Sequence, residues 1–338
     1  MATGKQAVSM KAIAEQAGVS VMTVSRVLTG KGSASAKTTA LIKGIAKDLK
    51  YRPNRLVRGI QTGRTGMVGV ILPADLGYYK NLLVGAHDYF AAKDCGVITS
   101  LVQGNMGEEA ITDELGKLHR LVDLRADGVI LRPVNEEASS AYFEELIERA
   151  IPMVVVDRRL SDYKCDFVGT DDYLGGQMAA EHMLRREPKR VLVCSASEVL
   201  RTSFERVRGF RDGLKESGVE VVEHAFGRFY SSESDMKKVL KEQGRLDGIF
   251  CVGDLLAIRC LRILEQMRVS VPGDVGVIGF GNLGLPGDYG ARLTTFEQNP
   301  HEVGRQAAKL LYSRIGQKGK SPVKQQLIVP TLVDMGTC

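Results

Sequence analysis

The chain has 338 residues, 44% of them hydrophobic and 25% charged, with no tryptophan. No apolar run approaches the ~20 residues of a membrane span, and the opening MATGKQAVSMKAIAEQ has no apolar signal core, so a cytoplasmic globular protein of two or three domains is expected. The net charge of +6 is unevenly placed: residues 1–65 hold twelve Lys and Arg against Glu15 and Asp48, which is +10 and leaves −4 for the rest. A basic head on a mildly acidic body points to a polyanion-binding module joined to a globular domain. Six cysteines, at 95, 165, 194, 251, 260 and 338, form no CxxC pair. That pattern fits buried reduced thiols rather than zinc, and no cofactor is expected.

Three helices are predicted in the head. The first, about 10–17, buries Ile13, Ala14 and Ala17, and Gly18-Val19-Ser20 makes a tight turn. The second starts at Val21, is capped by Ser20 and is stopped by Gly30 and Gly32. Wound at 100° per residue, it places Val24, Val27 and Leu28 on one side. Val21, Met22, Ser25, Arg26 and Thr29 fall on the other, which carries no acid. The third, about 36–50, buries Leu41, Ile45 and Leu49. Helix, short glycine turn, helix and support helix form a helix-turn-helix pattern, whose second helix enters the DNA major groove. Val21, Met22 and Arg26 then face base edges, with Arg26 suited to guanine. Ser25, Thr29, Ser35, Lys37 and Thr38 suit phosphate oxygens.

KYRPNRLVRGIQTG follows. Pro53 suits a first helical turn, and Asn54–Gln61 makes about two turns, too short to be stable alone and weakened by Gly59. With Arg55 and Arg58 beside Leu56, Val57 and Ile60, it reads as a linker that folds on DNA and wedges a side chain into the minor groove.

MKAIAEQAGVSVMTVSRVL, SAKT and YRPNRLVRGI, in that order across residues 8–61, closely resemble the head of the lactose/galactose repressor (LacI/GalR) family of bacterial transcriptional regulators. The resemblance implies that Val21 and Met22 are the main specificity pair and Arg26 a base contact. With them go phosphate contacts at Met10, Ser20, Thr23, Tyr51 and Asn54. Ile60 stands where the family usually has its leucine wedge, and Val57 where it usually has alanine.

From Met67 onward, β-like runs alternate with helical stretches at βα-unit spacing: MVGVILP, CGVITSLV, DGVILRP, PMVVVD, DFVGTDD, KRVLVCSA, VEVVEHAF, DGIFCVGD and VGVIGFG. RADGVILRP and RLDGIFCVG look like one segment used twice. The expected fold is therefore a small all-α helix-turn-helix head (8–51), a hinge helix and linker (52–65) and an α/β body (66–338). The body has two similar parallel-sheet halves, as in the periplasmic sugar-binding proteins that the family body is similar to. The first half is expected to span about 66–160 and 294–320, and the second about 161–293 and 321–338. The change-over is placed near Arg158–Lys164, with later crossings at ARLTTFEQ and GQKGKSP. GFGNLG (279–284) spells G-x-G-x-x-G, but LPGDYG follows it and no helix can start there, so the glycines read as loop-shaping.

A ligand is expected between the halves, at the carboxyl ends of the strands. Tyr78, Tyr79, Gln103, Arg132, Asp157, Asp171, Thr202, Arg206, Phe229, Asp254, Gly281 and Asn282 follow those ends. The resemblance places Arg206 (in ERVRGF) at the family's principal ligand arginine, Phe229 (in GRF) at its aromatic lid and Tyr79 on the opposite wall. Plainer readings stand beside these: Arg206 paired to a neighbouring Glu, Tyr79 in the core, Asp171 and Asp172 capping a helix, Asp254 beginning one. GDLLA replaces the family's frequent NDxxA, and Gly281 stands where many members have an acid. With Arg132 near Arg206, that makes the pocket cationic and the expected effector an anionic sugar derivative.

The expected protein is a homodimeric repressor of a carbohydrate operon, each head reading half of a near-palindromic operator in double-stranded DNA on the nucleoid. No heptad precedes Cys338, so no zippered tetramer is expected. A transport component is disfavoured by the basic head, and an α/β enzyme by the absence of G-x-S-x-G and of a ligand spacing among the five histidines.

Overall fold

A computed structural model describes residues 9–29, 34–51, 63–74, 77–104, 107–138, 140–161, 163–196, 200–226, 233–282, 292–317, 319 and 321–338. The chain divides into two compact units, Met1–Gly66 and Met67–Cys338.

The first unit holds α1 (Met10–Ala17), α2 (Val21–Thr29) and α3 (Ala36–Asp48). Hydroxyls set their starts. Ser9 Oγ accepts from the Ala12 N–H at 3.3 Å, Ser20 Oγ from Thr23 at 3.1 Å and Ser35 Oγ from Thr38 at 3.1 Å. Gly18, left-handed at φ 62°, ends α1 and turns the chain into α2. Ile13, Ala14, Val24, Val27, Ile42 and Ala46 form the core, with Ala17, Leu28, Ile45 and Leu49 packed at its edge. The expected stripe on α3 is rotated by one residue. Leu41 is 48% exposed while Ile42 is fully buried, because α3 turns its Ile42–Ala46 edge toward α1 and α2.

In the second unit, all nine β-like runs form parallel strands. Strands β1 (Met67–Pro73), β2 (Gly96–Val102), β3 (Val129–Leu131), β4 (Met153–Val156) and β5 (Asp166–Thr170) alternate with α4 (Gly77–Ala91), α5 (Glu108–Asp123) and α6 (Glu144–Glu148). After α7 (Asp172–Leu184) come β6 (Arg190–Ala196), α8 (Arg201–Leu214), β7 (Glu220–Phe226), α9 (Glu233–Glu242), β8 (Gly248–Cys251), α10 (Asp254–Gln266) and β9 (Gly276–Ile278). The chain closes with β10 (Thr295–Glu297), α11 (Pro300–Arg314), β11 (Gln325–Ile328) and β12 (Thr331–Val333). The sheets run β11-β5-β4-β3-β1-β2 and β7-β6-β8-β9. Strands covered on both faces read as near-continuous apolar runs, which is why MVGVILP, VVV and VLV were legible.

The change-over between halves differs from the expected one. β5 pairs with β4, Val155 opposite Phe167, so residues 166–170 belong to the first sheet and the chain crosses at Asp171. Arg158–Lys164 therefore lies between β4 and β5, within the first half, with Arg158 buried. The third crossing also comes later: β11 pairs with β5, Leu327 opposite Gly169, so GQKGKSP still precedes a first-half strand. The crossing is Val329–Pro330, after which β12 pairs antiparallel with β10. Thr337 then hydrogen-bonds Val277 at the edge of the second sheet.

Two helices pack unusually close. A Cβ at Gly176 of α7 would stand 2.2 Å from the Arg206 carbonyl oxygen, and one at Gly209 of α8 would stand 2.0 Å from that of Tyr173. The glycines seat α8, which carries Arg201, Thr202 and Arg206, directly against α7. All six cysteines are unpaired; Cys194, Cys251 and Cys260 are buried and the other three half-buried. Among the described residues no helix is long and apolar enough to cross a membrane.

Candidate functional site

On the head, α2 is two-faced. Val24 is fully buried, whereas Val21 is 45% and Met22 63% exposed, with Arg26 exposed beside them. No acid stands in its first turn. Ser20 and Thr23 hydroxyls meet at 2.9 Å at the start of α2, and Ser35 and Thr38 at 2.8 Å at the start of α3, with Lys37 exposed next to them. Each hydroxyl pair flanks the positive end of a helix dipole, a natural place for a phosphate oxygen. Ser25 is half-buried on the same helix. Met10 and Tyr51 pack against the head core. What Met10 offers an anion is the backbone N–H of a first helical turn, and burial raises the Tyr51 hydroxyl pKa. Thr29 ends α2. Asn54, Arg55, Leu56, Val57, Arg58 and Ile60 lie outside the described residues, as does Phe229.

In the body, the strand ends bring Tyr79, Arg132 and Asp157 together. The Tyr79 hydroxyl donates to Asp157 Oδ2 at 2.7 Å and accepts from Arg132 Nε at 3.0 Å. Burial first and the Asp157 charge second push its pKa well up. Tyr78 stands edge-on to Tyr79, centroids 5.1 Å apart. Asp157 is held at φ 64°, a left-handed conformation uncommon for a side-chain-bearing residue. Arg132 Nη1 is buried without a hydrogen-bond partner. From the second half, Arg206 donates through Nε to Asp172 at 2.7 Å, through Nη1 to the Val252 carbonyl at 2.8 Å and through Nη2 to Gln298 at 3.2 Å. Its guanidinium lies 4.0 Å from the Phe280 ring centre. Burial raises the Asp172 pKa to about 6 despite Arg206.

These contacts revise the expected source of positive charge. Arg132 and Arg206 are each matched by a carboxylate, so neither gives the cleft a net cation. Arg206 pairs with Asp172 rather than with a neighbouring Glu, and Asp171 caps α7 through the Leu174 N–H at 3.0 Å. Asp254 begins α10 and is only 3% exposed, its carboxylate taken by the Thr295 hydroxyl at 2.6 Å. Asn282 donates to Glu297, and Gly281 bridges to the same residue, so this pair braces β10. Gln103 is exposed, with its N–H on Asp113.

A cavity of about 380 Å³ lies between the halves, lined by Asp157, Arg159 and Thr170 from the first and Asp172, Arg201, Thr202 and Arg208 from the second. Arg159, Arg201 and Arg208 were missed from sequence. Arg159 follows a strand end as surely as Asp157 does, and Arg201 opens a helix with no acid in its first turn; those were the available signals.

Comparison with known proteins agrees with this arrangement. Residues 9–54 match the family model "Bacterial regulatory proteins, lacI family", and residues 180–338 match "Periplasmic binding protein-like domain". The chain is 27% identical to the HTH-type transcriptional regulator CelR of Thermobifida fusca, over 94% of each chain. It is 26% identical to the ribose operon repressor of Escherichia coli K12, over 97% of this chain and 99% of that one. The lac repressor dimer bound to operator and the anti-inducer ONPF superposes with a TM-score of 0.80 at 20% identity, covering 98% of this chain and 99% of that one. A CelR–cellobiose complex gives 0.67 at 23% identity, covering 98% and 100%. Residues 9–54 are thus a regulatory head of the lacI type and residues 180–338 a periplasmic binding protein-like domain, the two parts that the fold described above places in sequence.

Proposed function

We propose that the protein is a sequence-specific transcriptional repressor, acting in the cytoplasm as a homodimer on a near-palindromic operator and controlled by a small molecule in the cleft of its body. The observation that carries this reading is the exposed, acid-free face of α2, with Val21, Met22 and Arg26 outward and Val24 wholly inward. Such a face in a helix-turn-helix head reads base edges. Ser20, Thr23, Ser25, Thr29, Ser35, Lys37 and Thr38 hold phosphates beside it, and residues 54–60 supply the minor-groove wedge. The lacI-family match over residues 9–54 supports the assignment.

The cleft suits a sugar or sugar derivative. Tyr78 and Tyr79 offer ring surface, and Arg132 Nη1 and Thr202 offer polar contacts. The cellobiose complex and the ribose operon repressor among its relatives support that class. The effector acts through the three crossings. β10 and β12 pair with each other, and Gln298 next to β10 receives Arg206 from the second half and, on its carbonyl, the Thr170 hydroxyl from the first at 3.2 Å. A ligand that prefers one inter-half angle biases the heads by its differential affinity, typically ~1–3 kcal/mol. The cleft carboxylates are engaged by arginine, hydroxyl or backbone partners, and we assign the site to recognition rather than turnover.

The test is a mobility shift of the gene's own promoter fragment with the purified protein, repeated with a sugar panel. A discrete shifted band that one of the sugars strengthens or dissolves is expected. Binding that competitor DNA abolishes at every concentration refutes specific recognition. Catalytic conversion of any sugar in the panel refutes the assignment of the cleft.

A further inference from the structure

We propose that Arg159 of the first half and Arg201 of the second form a cationic clamp that closes on one carboxylate or phosphate group of the effector. The inference deepens the effector reading above and rests on it. Both guanidinium-bearing residues line the 380 Å³ cavity, and both also line the adjoining cavity of about 430 Å³. Neither has a carboxylate within salt-bridge distance among the described residues. The acids around them are already taken: Asp157 by Tyr79, Asp172 by Arg206, Asp171 by the α7 cap. Glu205 is taken by a two-pronged contact from Arg208 at 2.9 and 2.5 Å.

The two residues stand where local physics disfavours a cation. Arg201 is the first residue of α8, at the positive end of a fourteen-residue helix whose preceding residue, Leu200, gives no side-chain cap. Arg159 is partly buried with its guanidinium 4.6 Å from the Phe167 ring centre, and burial followed by the Arg201 charge lowers its pKa. Like charges contributed by opposite halves push the cleft open. One contact already spans the same gap, the Arg201 N–H on Glu136 at 3.4 Å. An anion seated between two guanidinium groups accepts charge-assisted hydrogen bonds from both and turns the repulsion into a bridge. The Phe167 ring gives Arg159 a cation–π contact, but neither guanidinium has a carboxylate partner among the described residues, and cations left so are expected where a ligand supplies the counter-charge.

The test uses the full-length protein and inorganic phosphate, exchanged for chloride at constant ionic strength, with melting temperature as the readout. A saturable rise is expected for the wild type. Arg159→Gln and Arg201→Gln each weaken half-saturation about tenfold or more, as loss of one charge-assisted contact does. Arg245→Gln, at a side chain 92% exposed, leaves it unchanged. Arg201→Glu pairs with Arg159 directly, so it melts higher than the wild type without phosphate and no longer responds to it. No saturable rise in the wild type, or the same rise in both Gln variants, overturns the clamp. Glucose, glucuronate and glucose 6-phosphate compared on the same proteins separate carboxylate from phosphate as the preferred group. A neutral sugar that alters DNA binding equally in wild type and both Gln variants overturns the clamp and keeps the effector reading. Phosphate stabilisation that both Gln variants lose, with DNA binding indifferent to every ligand, keeps the clamp and overturns the regulatory reading.

Discussion

Arg206 ties several elements around the second half together, and its replacement by methionine gives a quantitative prediction. The side chain is 8% exposed and tied to Asp172, to the end of β8 at Val252 and to Gln298 next to β10. Methionine keeps the aliphatic bulk against Phe280 but strips the cation from Asp172. Asp172 is then buried without its partner, and breaking such a pair from one side costs ~3–5 kcal/mol. Replacing both members removes the stranded charge. Arg206→Met with Asp172→Asn is therefore expected to cost no more than ~2 kcal/mol, less than Arg206→Met alone, a coupling of at least ~1–3 kcal/mol between the sites. The single variant also acquires a pH signature. Without Arg206 the folded-state pKa of Asp172 rises further above about 6, so the folded state holds its proton more tightly than the unfolded chain, and stability falls as pH rises from about 4 toward 8. Urea unfolding followed by far-UV circular dichroism reads this, since the chain has no tryptophan. Additive single-variant costs, or an Arg206→Met cost below about 1 kcal/mol, would refute the reasoning.

Three further outcomes are expected. Glu114 is fully buried, accepts from the Val134 N–H at 2.8 Å and the Tyr142 hydroxyl at 2.6 Å, and burial pushes its pKa up to about 7. The wild type therefore loses ~3 kcal/mol of stability as pH climbs from about 4.5 to about 7. Glu114→Gln, which can donate to Tyr142 while that hydroxyl donates to Ile111, flattens this slope; an unchanged slope in pH-resolved denaturation counts against it. Gly176→Ala drives a methyl into the Arg206 carbonyl and costs ~1–3 kcal/mol. Calorimetry should show weaker effector binding with DNA affinity of the ligand-free protein unchanged, and equal loss of both would contradict the packing account. Ser20→Ala removes the cap on α2 and lowers head stability by ~1 kcal/mol, measurable by amide exchange in the head; protection equal to wild type would show that the hydroxyl is dispensable.

Much of the fold was legible because its signals are local. The parallel strands appear as short apolar runs at βα spacing, and α2 shows its two faces in nine residues. What was missed depends on partners far away in the chain. Whether DFVGT joins the first or the second sheet is decided by Val155 opposite Phe167 and by β11 arriving from residue 325, neither visible from the segment itself. Leu41 and Ile42 are adjacent apolar residues, and only the tilt of α3 determines which is buried. At the site, the positions after strand ends could be listed from the sequence, but the partners of their side chains could not. Arg132 and Arg206 looked like free cations until Asp157 and Asp172 were seen beside them, and Asp254 looked like a ligand group until Thr295 was.

The account stands on α2 reading DNA through Val21, Met22 and Arg26. The most direct measurement selects bound fragments from random-sequence duplex DNA with the full-length protein, then compares Met22→Ala and Arg26→Ala on the selected site and on unrelated DNA across a salt series. A two-fold-symmetric site should emerge. Each substitution should weaken binding to it by ~1–3 kcal/mol and relax the preference at its own base positions, with salt-dependent binding to unrelated DNA preserved. Recovery of no common sequence, or variants that keep the wild-type site and affinity, would contradict the claim.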